Sequence, residues 1–142
     1  MRWPNRTPHT LTRGMREAQR SLSAFLPLVD WARFRRGNIN EEVKTLSPGR
    51  LATFGCSNGE QAVLWLLRKD TIGRNGMVRP DARGLTTAVR LPAMKAGRFR
   101  VTAFDTRGGN VVLTREVAGE GALIFETPPI ATDLAFAVKS VG

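Results

Sequence analysis

Side chains that could act as nucleophiles or metal ligands are few in this sequence of 142 residues, which contains one cysteine and one histidine. Cys56 follows Phe54 and Gly55 at the end of a predicted strand, whereas His9 belongs to a proline-containing N-terminal stretch. Nucleophilic catalysis by cysteine needs a neighbouring base, and a structural zinc site needs four Cys or His ligands. We therefore predict no catalytic residue, no metal site and no cofactor, and we expect Cys56 to be a buried, inert thiol.

Six carboxylates are candidates for a general acid–base pair, which needs two carboxyl groups held close together. They are Glu41, Glu42, Asp70, Asp81, Asp105 and Asp133. The first two are adjacent in a predicted connector and the next two flank a predicted loop, so we expect these four on the solvated surface. Asp105 precedes a glycine-rich turn, where its carboxylate can accept amide hydrogens. We predict this structural role for Asp105 and a similar one for Asp133 at the last strand.

Candidates for ligand binding come from a long loop over residues 69–86, which is rich in Gly, Arg and Asp. A loop of this length is either functional or mobile. The candidates are Arg74, Arg79 and Asp81 from this loop, together with Trp3. An exposed indole such as Trp3 can stack on a sugar ring. Trp65 lies in the most apolar predicted strand, so we expect it in the core, and we expect Trp31 to fill the junction between helix and sheet.

One helix and a series of strands must position these residues. Apolar residues recur at spacings of three and four from Met15 to Val29, with Thr10 or Thr12 as the N-cap. Pro27 predicts that the helix ends or kinks there. Strands are predicted at 50–56, 61–68, 87–92, 97–105, 110–117, 122–126 and 133–139, with glycine turns near 107–110 and 119–121.

These elements predict a mainly β fold, an antiparallel β-sandwich of about seven strands preceded by one amphipathic N-terminal helix. The expected units are a tail with the amphipathic helix in 1–36, a connector in 37–49 and the sandwich in 50–142. No second long helix is predicted to cover the apolar stripe, so self-association through residues 12–30 is one expectation. No run of 18 apolar residues or secretory signal is visible, so no membrane span is expected and the location stays open.

Positive charge dominates the composition, with 22 Lys and Arg against 12 Asp and Glu and a formal net charge of +10. The excess is densest in residues 1–36, which hold eight arginines and two acidic residues. Basic surfaces favour phosphate contacts, so a nucleic-acid-associated protein is one hypothesis. No recognition motif or aromatic stacking platform accompanies the charge, and nucleic acid is therefore not the partner that we expect.

The stretch from Gly97 to Lys139 contains the run GRFRVTAFDTRGG, then a Pro-Pro pair and a strand that begins at Asp133. This pattern resembles the C-terminal β-sandwich that follows the barrel in multidomain bacterial glycoside hydrolases, some versions of which are labelled collagen-binding domains. The helix around Met15–Leu22, with Asp30 and Trp31 after it, resembles the last barrel helix and its exit into that sandwich. Together the similarity covers about 120 residues.

The resemblance implies an accessory domain, because the catalytic carboxylates of such enzymes lie at the strand ends of a (β/α)₈ barrel that residues 1–142 do not contain. The expected partner is that barrel, in cis or lost, and the apolar stripe of the helix would face it. A possible polysaccharide contact is also implied, and parent enzymes of this kind are commonly exported. The alternatives are a free-standing module that binds polysaccharide or protein, and the nucleic-acid-associated protein named above.

Overall fold

The N-terminal helix forms where the apolar spacing predicts it. The computed structural model describes residues 12–141, and α1 spans Arg13–Phe25. The Thr12 side chain caps its first turn by accepting a hydrogen bond from the third helical residue. Because Pro27 cannot continue the α-helical hydrogen bonding, α1 gives way to two short 3₁₀ helices, Leu26–Leu28 and Trp31–Arg33. No helix among residues 12–141 is long and apolar enough to cross a lipid bilayer.

Seven antiparallel strands follow in the part of the chain that the structure describes. They are β1 (Gly37–Asn38), β2 (Lys44–Thr45), β3 (Leu51–Ser57), β4 (Gln61–Arg68), β5 (Ala88–Asp105), β6 (Asn110–Glu126) and β7 (Asp133–Ser140). They form one sheet in which the strands pair in the order β1-β3-β4-β7-β5-β2. The remaining strand, β6, pairs with β5 along the edge opposite to β7. The strands β1 and β2 come from the 37–49 segment, which is therefore more than the connector that we predicted.

The longest strands show where the predicted boundaries were wrong. The strands predicted at 87–92 and 97–105 are one strand, β5, and those at 110–117 and 122–126 are one strand, β6. The stretch 119–121 is consequently not a turn, because it pairs with β5 inside the ladder. Register shifts between Pro92 and Gly97, with Ala93 at φ 54° and Gly97 at φ 139°, let the hairpin bend without separating.

The main core lies between the sheet and this bent hairpin. Leu64 and Leu66 of β4 share one buried cluster with Leu91 of β5, Leu123 of β6 and Phe136 of β7. Both halves of the hairpin contribute to that cluster, so the hairpin folds over the inner face of the sheet. The predicted alternation at Phe99–Ala103 is confirmed, since the apolar side chains point inward and the arginines outward. The result is a mainly β, sandwich-like antiparallel fold with one N-terminal helix.

Candidate functional site

Residues 12–34, called the N-terminal segment below, pack on the outer face of the sheet, the face that points away from the main core. The Phe25 ring meets Phe104 of β5 edge-on, with ring centroids 5.4 Å apart, and Val29 and Phe34 belong to the same buried cluster. Gln61 fixes the end of the segment, because its side chain accepts from the Asp30 amide and donates to the Asp30 carbonyl. Within α1 itself only Ser21 and Phe25 are buried, so the helix is attached to its own sheet at its C-terminal half.

The helix leaves part of its apolar stripe uncovered. Three exposed apolar side chains, Met15 and Leu22 of α1 and Leu26 directly after it, are called the apolar flank below, and Leu22 is 56% exposed. Between Leu22 and the sheet lies an open groove of about 340 Å³. The groove is lined by Ala18, Ser21, Leu22, Phe25, Trp65, Phe104, Thr106 and Ala135. An exposed apolar surface of this kind marks an interface or a binding groove.

Trp65 contradicts the expectation that it lies in the core, because it is 40% exposed. Strand alternation sends Leu64 and Leu66 inward and Trp65 to the outer face. The N-terminal segment covers the part of that face near Val63 and leaves the part near Trp65 open. An apolar run shows that both faces of a strand are apolar, but it does not show how far a covering element reaches.

Phe54 of β3 lies opposite Trp65 in the strand register and is 41% exposed. The two rings have centroids 5.2 Å apart and planes inclined by 30°. Sequence analysis placed Trp65 elsewhere and did not single out Phe54 as a site residue. The pairing of Phe54 with Trp65 could have been predicted from the Asn58–Gly59 turn between β3 and β4, because a tight hairpin turn sets which residues of the two strands lie opposite each other.

Asp133 holds the Trp65 indole in place. The indole Nε1 donates a hydrogen bond of 2.8 Å to Asp133 Oδ2, and that carboxylate also accepts from the hydroxyls of Thr106 and Thr132. Asp133 was expected to accept backbone amide hydrogens at the last strand, whereas these donors are side chains. The role of Asp105 agrees with the expectation, since its Oδ1 accepts from the Arg107 amide at 2.9 Å and holds the turn.

Trp31 lies where the two 3₁₀ helices meet, and its indole donates a 2.8 Å hydrogen bond to the Leu26 carbonyl. It is only partly covered, and the Arg36 guanidinium lies 5.9 Å from the centroid of its ring. Arg36 is equally distant from the Phe34 ring. Trp31 therefore belongs to the junction that we predicted, as a partly exposed ring beneath a cation and not as a filled core position.

The loop candidates Arg74, Arg79 and Asp81 line one open cleft of about 520 Å³ at the 69–86 loop. Arg74 and Arg79 are exposed, and Thr71 contributes a hydroxyl that has no hydrogen-bond partner in the structure. Trp3, the fourth candidate, lies outside the described residues.

Asp81 is held by a residue that sequence analysis missed, Arg68, whose side chain is 1% exposed. The Arg68 guanidinium donates to Asp70 through Nε at 2.8 Å, to Asp81 through Nη1 at 3.2 Å and to the Ile130 carbonyl at 2.8 Å. Arg50 pairs with the second oxygen of Asp70 at 2.7 Å. Arg68 thus joins both ends of the 69–86 loop to the sheet.

This network lowers the pKa of both carboxyl groups. The hydrogen bond from Arg68 is the main cause of a pKa for Asp70 well below the usual range, and Arg50 adds to it. For Asp81, the amide of Arg83 lowers the pKa most and Arg68 lowers it further. Both groups are therefore ionised at neutral pH, which is the opposite of what a general acid needs.

The remaining carboxylates and Cys56 are distributed without a shared centre. Glu41 and Glu42 are exposed, as expected, and Cys56 is half-buried on the outer face beneath the N-terminal segment. Within residues 12–141, no group of three or more His, Cys, Asp and Glu side chains is placed to hold a metal ion. His9 lies outside the described residues.

Comparison with protein-family models and with curated proteins gave no match for this chain. Its function is therefore inferred from the surfaces described above.

Proposed function

We propose that this chain is a non-catalytic accessory β-domain that braces the catalytic (β/α)₈ barrel of a bacterial glycoside hydrolase. The observation that carries the proposal is the apolar flank of α1. The helix that resembles the last barrel helix is attached to the sheet through Ser21 and Phe25 in its C-terminal half. Leu22 lines an apolar groove, and Met15 and Leu26 are exposed as well. Covering three half-exposed side chains of this size contributes about 3 kcal/mol, which is useful for holding two domains together.

The carboxylates support the non-catalytic part of the proposal. A glycosidase needs one carboxylic acid with a raised pKa and a second carboxylate at a defined distance from it. Asp70 and Asp81 both bind Arg68 and have lowered pKa values, while Asp105 holds a turn and Asp133 accepts three side-chain hydrogen bonds. These groups serve the fold of the domain.

The first test is the nucleotide sequence upstream of the Met1 codon, where we expect a reading frame for a glycoside hydrolase barrel, in frame or displaced by a frameshift. That barrel, produced separately, should bind the chain in calorimetry and melt at a higher temperature in its presence. A Leu22→Glu variant should lose this effect, because it places a charge on the apolar flank. Ile124→Glu is the matched control, since Ile124 is 60% exposed on the β5–β6 hairpin.

The proposal has clear contrary outcomes. An upstream region without a barrel-encoding frame contradicts the role as a brace, and so does binding that Leu22→Glu leaves intact. Turnover of any glycan by the purified chain contradicts the non-catalytic assignment, provided that the activity disappears when the candidate carboxylates are replaced and so does not come from a contaminant.

A further inference from the structure

The loop between β4 and β5 contains a small hairpin, residues 71–79, which is called the arginine hairpin below. The amide of Arg79 donates to the Thr71 carbonyl at 2.8 Å. The amide of Gly73 donates to the Met77 carbonyl, also at 2.8 Å. Opposed residues of an antiparallel pair have their side chains on one face, and so do residues two apart along a strand. Thr71, Gly73 and Arg79 therefore share one face of the arginine hairpin.

The guanidinium of Arg79 takes the place that a side chain at Gly73 would fill. A Cβ atom at residue 73 would lie 2.8 Å from Arg79 Nε, so the guanidinium rests against the backbone there. Arg74 follows in the turn of the arginine hairpin, and both arginines line the open cleft of this loop. Within residues 12–141, neither guanidinium has an ion-pair partner. The cleft thus has two cationic groups without a counter-charge of their own.

The two acidic residues of the cleft are already paired. Both oxygens of Asp70 accept from Arg68, and one of them accepts from Arg50 as well. One oxygen of Asp81 accepts from Arg68, and the other accepts from the amide of Arg83. The loop between β4 and β5, together with Arg50 and Arg68, holds six basic side chains against these two acidic ones. The excess of positive charge at the cleft favours an anionic ligand.

Thr71 adds a neutral donor to this set. It lines the cleft, and its hydroxyl oxygen is buried without a hydrogen-bond partner among the described residues. A buried polar group without a partner is costly, and an anion drawn into the cleft is a suitable acceptor for the hydroxyl. The planar guanidinium group matches the oxygens of phosphate with two parallel N–H donors. Two guanidinium groups and one hydroxyl can therefore serve several oxygens of one phosphate group.

We infer that the arginine hairpin binds a phosphate group, with Arg74 and Arg79 as the charged donors and Thr71 as the neutral one. Gly73 is the positioning residue, since it leaves the space in which the Arg79 guanidinium lies. The cleft shares no lining residue with the groove beside α1, so the inference does not depend on the bracing role. Failure of the barrel to bind the chain would leave it standing, and failure of phosphate to bind would leave the brace standing.

The test is titration of the full chain with sodium phosphate, followed by calorimetry and by amide chemical shifts, with sodium chloride at the same ionic strength as reference. We expect saturable binding that is weakened about tenfold in Arg74→Gln and in Arg79→Gln, the factor for one hydrogen bond to a charged group. Gly73→Ala should also weaken binding, because it displaces the Arg79 guanidinium without changing the net charge. Arg90→Gln is the matched control, since it removes one charge from an exposed arginine of β5 outside the cleft.

A second titration, with phenyl phosphate, identifies the source of the phosphate group. Tighter binding of phenyl phosphate than of inorganic phosphate indicates a phosphate carried by a larger molecule, whereas the reverse order indicates the free ion, and both results support the site. Absence of saturable binding of either probe by about 10 mM would overturn the inference. Equal weakening by Arg90→Gln and Arg79→Gln would overturn it too, because the attraction would then depend on net charge alone.

Discussion

Replacing Arg68 by methionine should destabilise the domain strongly, because the guanidinium is buried and both Asp70 and Asp81 depend on it. Removing one partner of a buried ion pair costs about 3–5 kcal/mol. Here the two carboxylates are 22% and 29% exposed, and Arg50 continues to pair with Asp70. Residual hydration and that second partner place the expected loss of unfolding free energy near the lower end, at about 3 kcal/mol.

The assay is urea denaturation followed by circular dichroism, with the wild-type chain and Arg68→Met compared under the same conditions. The triple variant Arg68→Met, Asp70→Asn, Asp81→Asn is the matched control, since it removes the two carboxylate charges that have lost Arg68 and should recover part of the loss, although Asp70→Asn also ends the pairing with Arg50. Limited proteolysis should cut Arg68→Met within residues 69–86 first, because both ends of that loop are released. A loss below about 1 kcal/mol, or a triple variant as unstable as Arg68→Met, would refute the reasoning.

Two further predictions concern acid and the helix. The folded-state pKa values of Asp70 and Asp81 lie below their unfolded values, so their stabilisation is present above about pH 4 and is lost as the pH falls through the folded values. Asp70→Asn should therefore weaken the dependence of the unfolding free energy on pH, measured by denaturation at several acidic pH values. An unchanged slope of unfolding free energy against pH would contradict this. Phe25→Ala should lower the free energy of unfolding by about 3 kcal/mol in urea denaturation, because the ring is buried edge-on against Phe104. A loss below about 1 kcal/mol would show that the N-terminal segment is not anchored there.

The sequence predicts those features that depend on nearby residues. Thr12 begins α1 and Pro27 stops it because capping and proline geometry act within one helical turn. Alternation at Phe99–Ala103 predicts the buried face of β5 for the same reason. The division of the hairpin into four strands failed because glycines mark bulges as well as turns, and the pairing partner decides between the two.

The candidate site depended on distant contacts and was less predictable. The position of Trp65 on the outer face follows from alternation, but its exposure depends on where the N-terminal segment ends. Arg68 is the last residue of β4, and its burial follows from carboxylates that lie two and thirteen residues away along the chain. An ion pair that spans a loop is hard to predict from the sequence, since arginines near aspartates are also common on protein surfaces.

The position of β7 between β4 and β5 has a consequence for synthesis on the ribosome. The chain makes β3, β4, β5 and β6 first, but the sheet joins β4 to β5 only through Asp133–Ser140. Until those residues leave the exit tunnel, the β3–β4 and β5–β6 hairpins remain two separate pieces with their apolar faces uncovered. Folding of this sheet is therefore completed only after Asp133–Ser140 have been synthesised, and a nonsense mutation before Asp133 removes the strand that joins its two hairpins.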